Sequence, residues 1–245
     1  MIIKKKDLIN LIESLNGFKN PDINLEQYTT DAISTVDFLY FVEIDNNDIV
    51  NNIIIDLGAG TGRICIGALY MSALGCVAIE KDIHSIEILK YNLNKLNNNE
   101  LKNKILIIQE DIEDVIINQK MENLNFLKLQ IKEFKEKLIN YYKEDFNIKE
   151  KMIENICIMN PPFGIHKRNV DCKFIEFAMF LSDKIYSIHL SNEKSRKYLK
   201  NFIEKKGWII DQIISQKLLI KGTYKFHKKP QKFILVDIYK IIKKN

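Results

Sequence analysis

The sequence lacks the features that would direct it toward a membrane, a metal or a repeat architecture. It has no uninterrupted apolar run near the roughly 20 residues that a membrane-spanning helix needs. Its 4 cysteines form no C-x-x-C pair, so the spacing typical of a zinc site is missing, and we expect buried, reduced thiols. No internal repeat, low-complexity tract or signal peptide is visible. We therefore expect a soluble, cytoplasmic protein without a bound metal and without membrane association.

The overall composition is that of an ordinary globular protein. Hydrophobic residues make up 46% and charged residues 28% of the 245 positions, so a sizeable core can form. The formal net charge of +5 is mildly basic, which permits a nucleic-acid partner but does not require one. Composition alone leaves the function open.

Short apolar runs alternate with helical stretches along most of the chain. Two helices are expected first, at residues 4–15 and 31–42, and helical stretches separate the first five runs that follow. The last two runs leave no room for a helix between them and are expected to form a hairpin. The seven runs lie at residues 53–55, 77–80, 105–108, 156–159, 185–189, 208–214 and 234–241. This order predicts an α/β protein with the class I methyltransferase (Rossmann-like) fold, a seven-stranded, mostly parallel sheet with a C-terminal antiparallel hairpin.

A long polar stretch, residues 119–151, precedes the fourth run. Its apolar side chains recur at steps of three and four, which predicts an amphipathic helix. The helix is either an enlarged crossover helix or a docking surface for RNA or a protein partner. We expect a single methyltransferase domain over residues 1–245, with an N-terminal helical cap at 1–45 and a helical insertion at 119–151. The apolar positions are Leu124, Leu127, Ile131, Phe134 and Leu138.

The first strand leads directly into a glycine-rich loop that contains Asp56, Gly58, Gly60 and Gly62. Glycines here allow a tight turn and a close ligand approach, beside the free N–H groups of the next helix. A nicotinamide-binding loop would require its third glycine at position 63, where this chain has Arg63. The D-x-G-x-G-x-G pattern is instead typical of methyltransferases that bind S-adenosylmethionine.

Two acidic residues end the next two strands. Glu80 ends the second strand, where a carboxylate can accept both ribose hydroxyls of a nucleoside cofactor. Asp111 closes the third strand and can accept the adenine amino group. Because open α/β sheets bind ligands at the carboxyl ends of their strands, both acids support an S-adenosylmethionine site.

The fourth strand is followed by Asn160, Pro161, Pro162 and Phe163. An exocyclic amine of a nucleic-acid base is a poor nucleophile, because its lone pair is delocalised into the ring. It needs hydrogen-bond acceptors, which the Asn160 side-chain oxygen and the Pro161 carbonyl can supply. The prolines fix the backbone, and Phe163 offers a face on which the base can stack. This motif predicts methylation of a planar amine by in-line displacement at the sulfonium methyl group.

Two further segments, L-E-Q-Y at residues 25–28 and Y-K-F-H-K-K at 224–229, are absent from generic methyltransferases. With the glycine loop and the Asn160 motif, they make the chain resemble the methyltransferase-like protein 5 family over nearly its whole length. The resemblance implies methylation of adenosine N6 in small-subunit ribosomal RNA. It implies further cofactor-binding residues, Gln27, Thr30, Thr61, Arg63 and Ile112. It also implies RNA-contacting residues, Lys225, His227, Lys228 and Lys229.

The chain departs from the family pattern mainly at residues 119–151, which are much shorter in the eukaryotic members. In the family, the enzyme pairs with a small zinc-containing activator subunit that covers apolar surface. The amphipathic helix could cover such surface within this chain, so we expect the chain to be stable alone.

Other functions are compatible with the motif. The methyl acceptor could be guanine N2, DNA adenine N6 or a protein glutamine. DNA enzymes usually carry a separate target-recognition domain, for which this chain has no room, and glutamine enzymes typically have Tyr in place of Phe163. A non-catalytic RNA-binding assembly factor would keep the same fold, and the intact motifs argue against that alternative.

Overall fold

The structure, a computed structural model, describes residues 3–117, 121–146, 153–164, 169–221 and 231–244. A seven-stranded sheet runs through this part of the chain. Its strands are β1 (Ile53–Leu57), β2 (Gly75–Glu80), β3 (Ile105–Gln109), β4 (Asn155–Met159), β5 (Lys184–Leu190), β6 (Trp208–Lys221) and β7 (Gln231–Lys243). Their order in the sheet is β3-β2-β1-β4-β5-β7-β6.

The pairing of the strands confirms the predicted fold class. Strands β1 to β5 pair in parallel, and β7 lies antiparallel between β5 and β6. The closing hairpin is longer than the apolar runs predicted, because β6 continues through a polar segment to Lys221.

Helices cover both faces of the sheet, and the first two were predicted to within one residue. The side chain of Asp31 accepts a hydrogen bond from the backbone N–H of Ser34 and so begins the second helix. None of the helices in the described ranges is long and apolar enough to cross a membrane. The helices are α1 (Lys5–Ser14), α2 (Ala32–Glu43), α3 (Arg63–Tyr70), α4 (Ile83–Lys95), α5 (Asn99–Asn103), α6 (Ile112–Ile117), α7 (Met121–Phe146), α8 (Val170–Leu181) and α9 (Glu193–Lys205).

The central strands are buried on both sides, as their continuous apolar runs predict. Ile53 and Ile55 of β1 face a core that α7 and α8 complete, whereas Ile54 faces a second core built from α1, α2 and α3. All three isoleucines are 0% exposed. The sheet is therefore held rigidly between two helical layers.

Helix α7 occupies most of the long polar stretch, and the predicted apolar stripe is buried against the sheet. A Cβ atom at Gly75 would lie 2.3 Å from Cδ1 of Leu138 and 3.0 Å from Cε1 of Phe134, so α7 packs closely over the start of β2. The helix thus contributes to the core and is not an appendage on the surface.

The prediction of reduced cysteines was wrong for two of the four. Cys65 on α3 and Cys76 on β2 form a disulfide, with their Cα atoms 5.8 Å apart. Helix α3 packs on β2 and brings the two thiols together, which the sequence separation of 11 does not reveal. Cys157 and Cys172 are free and buried, as predicted.

We expect Leu138→Ala to lower the free energy of unfolding by about 2–5 kcal/mol, because it removes a buried side chain and leaves a cavity between α7 and β2. The measurement is the urea midpoint of the full-length chain. Lys137→Ala, on the exposed side of the same helix, is the matched control and should change little. Equal midpoints for the two variants would contradict a core role for α7.

Candidate active site

A cavity opens at the edge of the sheet where β1 to β4 end. Most of the predicted site residues line it. Asp56, Pro161 and Phe163 lie outside the lining, and Lys225, His227, Lys228 and Lys229 lie outside the described residues. The predicted residues in the lining are Gln27, Thr30, Gly58, Gly60, Thr61, Arg63, Glu80, Asp111, Ile112, Asn160 and Pro162.

The glycine loop forms one wall of the cavity. Gly58 and Gly60 have φ angles of +72° and +52°, and residues that carry a side chain rarely adopt such angles. Two aromatic rings also approach the loop closely. A Cβ atom at Gly58 would lie 3.1 Å from the ring of Phe174, and one at Gly60 would lie 3.0 Å from the ring of Phe18. The glycines therefore admit two cavity-lining rings that the sequence patterns did not reveal.

Glu80 connects the glycine loop to the end of β2. Its Oε2 accepts a hydrogen bond from the backbone N–H of Gly60 at 2.8 Å, and its Oε1 accepts from Lys81 and Asp82, each at 2.9 Å. Burial raises the pKa of this carboxyl, and the backbone N–H groups oppose the shift. Oε2 keeps a lone pair for another donor, as the predicted ribose contact requires.

Asp56 lies behind the loop and is 1% exposed. Its carboxyl oxygens form no hydrogen bond of good geometry in the described part of the chain, although the backbone N–H of Cys65 is near enough to favour the ionised form. Burial, followed by the charge of Glu80, raises the pKa of Asp56 to about 8. Direct contact of Asp56 with a cofactor stays a prediction, but its ionised form would place a negative charge directly behind the glycine loop.

Asp111 follows β3 and begins helix α6. Its Oδ1 accepts a hydrogen bond from the backbone N–H of Glu113 at 2.9 Å, and its Oδ2 lies 3.6 Å from Nζ of Lys81. Ile112 is buried beside it and adds an apolar surface to the cavity. An acidic and an apolar side chain thus meet where the adenine of a nucleoside cofactor was expected.

Residues 16–31, which we call the N-terminal strap, lie against the cavity and are tied to it by polar contacts. Asn92 of α4 is 0% exposed, and its Nδ2 donates to the carbonyls of Asn16 and Thr61, each at 3.0 Å. Gln27 donates from Nε2 to Oδ2 of Asp82 at 2.9 Å. The family resemblance assigned Gln27 to the site, whereas Asn92 was missed because it lies in an asparagine-rich segment typical of turns.

Arg63 ties the beginning of α3 to both ends of the strap. Its Nη1 donates to the carbonyl of Thr30 at 3.2 Å, and its Nη2 donates to the carbonyl of Leu15 at 2.9 Å. Burial lowers the pKa of the guanidinium. Arg63 therefore lines the cavity while it supports the backbone that covers it.

Asn160 presents a free acceptor at the edge of the cavity. Its Nδ2 donates to Oγ1 of Thr30 at 2.9 Å. Its Oδ1 is buried and has no hydrogen-bond partner among the described residues. A buried, unpartnered carbonyl oxygen is costly, so a donor from a bound molecule would stabilise it.

The prolines and Phe163 of the Asn160 motif lie along one side of the cavity. Pro162 lines the cavity, and the ring of Phe163 lies 5.5 Å from that of Tyr28, with an angle of 35° between the planes. Tyr28 also lines the cavity and belongs to the strap. No group of three or more His, Cys, Asp or Glu residues suited to a metal occurs in the described ranges.

These features fit S-adenosylmethionine. Gly58 and Gly60 leave the loop backbone without side chains at these positions, Glu80 ends β2, and Asp111 follows β3. The free Oδ1 of Asn160 lies at the same cavity, where an amine donor would approach the cofactor.

Comparison with known proteins finds relatives along the whole chain. The family described as conserved hypothetical protein 95 matches residues 34–129. The uncharacterised protein MJ0284 of Methanocaldococcus jannaschii is 33% identical over 242 residues, which cover 99% of this chain and 95% of that protein. The rRNA N(6)-adenosine-methyltransferase METTL5 of Danio rerio is 28% identical over 241 residues, which cover 96% of this chain and 97% of that protein.

A solved structure is similar over the same extent. PH1948 of Pyrococcus horikoshii, a candidate RNA methyltransferase, superposes with a TM-score of 0.74 at 28% sequence identity and covers 100% of both chains. Since the relatives align from end to end with this sequence, the chain belongs to the methyltransferase-like protein 5 (METTL5) family.

Proposed function

We propose that this chain is an S-adenosylmethionine-dependent methyltransferase that modifies N6 of an adenosine in ribosomal RNA. The observation that carries the proposal is the buried, unpartnered Oδ1 of Asn160 beside the cavity of the glycine loop. The name of the METTL5 relative supports the same substrate. A non-catalytic assembly factor would have no need for this acceptor.

The cavity residues would hold the cofactor along its length. When bound, S-adenosylmethionine supplies an electrophilic methyl group on a sulfonium centre. Glu80 would accept the ribose hydroxyls, and Asp111 and Ile112 would contact the adenine. The remaining proposed contacts are Gln27, Thr30, Asp56, Gly58, Gly60, Thr61 and Arg63.

The Asn160 loop would activate the acceptor amine through hydrogen bonds. Oδ1 of Asn160 and the Pro161 carbonyl would accept its two N–H groups, which turns the nitrogen lone pair toward the methyl group. Because these dipoles are fixed before the reaction, little reorganisation is needed. The amine nitrogen would form the new bond to the methyl carbon as the carbon–sulfur bond breaks, S-adenosylhomocysteine would leave with the bonding electrons, and the nitrogen would release one proton to water. Phe163 and Tyr28 would stack against the base after it leaves its helix.

The closing hairpin provides a surface for RNA beside the cavity. Beyond Leu190, where β5 ends, pairing of β6 with β7 continues to Lys221 and Gln231. Phe233 on this extension is 64% exposed. Lys217 shares the face of Phe233, and Lys232 lies on the other face of the hairpin; both are exposed, and neither forms an ion pair within the described ranges. Interleaved lysine and aromatic side chains are typical of surfaces that bind single-stranded RNA.

The finer assignments rest on the family resemblance. They are a small-subunit source of the RNA, a cytoplasmic location, and RNA contacts from Lys225, His227, Lys228 and Lys229 between the hairpin strands. The single domain with a helical cap and insertion is likewise proposed. Because α7 buries its apolar stripe within the chain, we propose that the protein is stable without a zinc-containing activator subunit.

The first test incubates the purified protein with labelled S-adenosylmethionine and small ribosomal subunits, or their naked RNA, and identifies the labelled nucleoside by mass spectrometry. We expect N6-methyladenosine. Asn160→Ala should lower kcat about 100-fold or more, because it removes a preorganised acceptor. Asn201→Ala, at an exposed position on α9, is the control and should retain activity.

If a different nucleoside is labelled, the proposed substrate is wrong, but the proposed methyl transfer to an amine still stands. An Asn160→Ala variant as active as the wild type would refute the proposed role of Oδ1. If the chain shows no activity even with the activator subunit added, the methyltransferase proposal fails.

We expect Lys217→Glu combined with Lys232→Glu to raise the Kd for RNA about 10-fold and to flatten its salt dependence, because two phosphate contacts are lost. Fluorescence anisotropy at several salt concentrations measures both. Lys205→Glu with Lys244→Glu changes the charge equally at the opposite end of strands β6 and β7 and serves as the control. Equal losses in both variants would mean that net charge alone governs RNA binding.

S-adenosylmethionine should bind more tightly as pH rises toward about 8, the pKa of Asp56 in the free protein. Below that pH, Asp56 holds a proton that a cationic ligand must displace. Calorimetry in buffers of different ionisation enthalpy measures the released protons. The Asp56→Asn variant should release fewer protons when S-adenosylmethionine binds. An unchanged number of released protons would exclude Asp56 as their source.

A further inference from the structure

Thr30 is the side chain that holds the amide of Asn160. Its Oγ1 accepts a hydrogen bond from Nδ2 of Asn160 at 2.9 Å, and the two residues are separated by 130 positions in the sequence. The family resemblance assigns Thr30 to the cofactor, whereas this contact joins it to the loop that would receive the substrate amine.

The backbone around Thr30 is fixed from two further directions. Arg63 of α3 donates to the Thr30 carbonyl at 3.2 Å. The next residue, Asp31, is 8% exposed, and its Oδ2 accepts from the backbone N–H of Leu219 on β6 at 3.2 Å. Thr30 therefore has little freedom to move away from Asn160. Its hydroxyl is held between helix α3, the Asn160 loop and strand β6.

The orientation of the Asn160 amide decides whether the site can accept an amine. The amide carries a donor and an acceptor of nearly equal size, and a rotation of about 180° exchanges them. With Nδ2 on Thr30, Oδ1 is left free for the substrate. With the amide reversed, Nδ2 would face the substrate. Two sets of hydrogen-bond donors, on Nδ2 and on the substrate amine, would then point at each other.

We infer that Thr30 is a positioning residue whose hydroxyl accepts from Nδ2 of Asn160 and so supports the orientation in which Oδ1 faces the amine that is to be methylated. The inference rests on the proposed function, since it concerns the same acceptor amine. It assigns Thr30 a role in the chemical step, in addition to any contact with the cofactor. The hydroxyl could also donate to Oδ1 of a reversed amide, so the N–H groups of the substrate select the orientation and the hydroxyl then partners Nδ2. Valine at position 30 would keep the shape of threonine but leave Nδ2 without a partner when Oδ1 accepts from the amine.

The test compares Thr30→Val with Thr30→Ser in the full-length protein. We expect Thr30→Val to lower kcat about 10-fold, which corresponds to about 1.4 kcal/mol, with KM for RNA unchanged. The comparison is made at saturating S-adenosylmethionine, so that a weaker cofactor contact at position 30 cannot account for the loss of kcat. Thr30→Ser restores a hydroxyl without the methyl group and should recover most of kcat. Single-turnover rates with excess enzyme measure the chemical step directly.

Ser182→Ala is the control for a general loss of stability. It removes another buried hydroxyl, which donates to the Ala178 carbonyl at 2.6 Å at the far end of α8. Its urea midpoint should fall as that of Thr30→Val does, while its kcat should stay at the wild-type value.

Wild-type turnover in the same assay separates this inference from the proposed function. A wild type that stays inactive with the activator subunit added would refute the proposed function. With an active wild type, a Thr30→Val variant that keeps full kcat would overturn the inference. So would a loss that appears equally in Thr30→Ser, or one that disappears at saturating S-adenosylmethionine, because Thr30 would then act through the strap or the cofactor.

Discussion

The parallel pairing of β1 with β4 is the constraint on which the site depends. Asp56 pairs with Ile158, so the glycine loop and the Asn160 loop leave neighbouring strands at the same edge of the sheet. Both strands are buried on both faces, and a shift by one residue would exchange the side chains between the two cores. Packing in the cores therefore sets the distance between the glycine loop and the side-chain oxygen of Asn160.

Residues at strand ends could be predicted because their signals are local. Gly58 and Asn160 stand directly after apolar runs, and Glu80 ends one, so their places follow from the strand alone. The contacts of Asn92 could not be predicted in this way, since Asn92 bonds to Asn16 across 76 positions. The Cys65–Cys76 disulfide was missed for the same reason, because it depends on how α3 packs against β2.

The length of the closing hairpin escaped prediction for a different reason. The predicted run ended at Ile214 because Ser215, Gln216 and Lys217 follow it, although Leu218 beyond them is fully buried. A strand at the edge of a sheet can carry polar residues on its exposed face, and backbone pairing with β7 maintains β6 across this polar stretch.

The position of β7 between β5 and β6 also affects how the chain assembles during synthesis. Residues emerge in chain order, so β5 and β6 are both made before the strand that joins them. Until residues 231–243 emerge, the edge of β5 is unpaired, and Tyr186 and Ile188, which are buried in the finished sheet, lack part of their cover. Such an open edge is a target for pairing with other chains. A nascent chain that stalls before β7 would therefore be more prone to aggregation than one that has lost only its N-terminal helix.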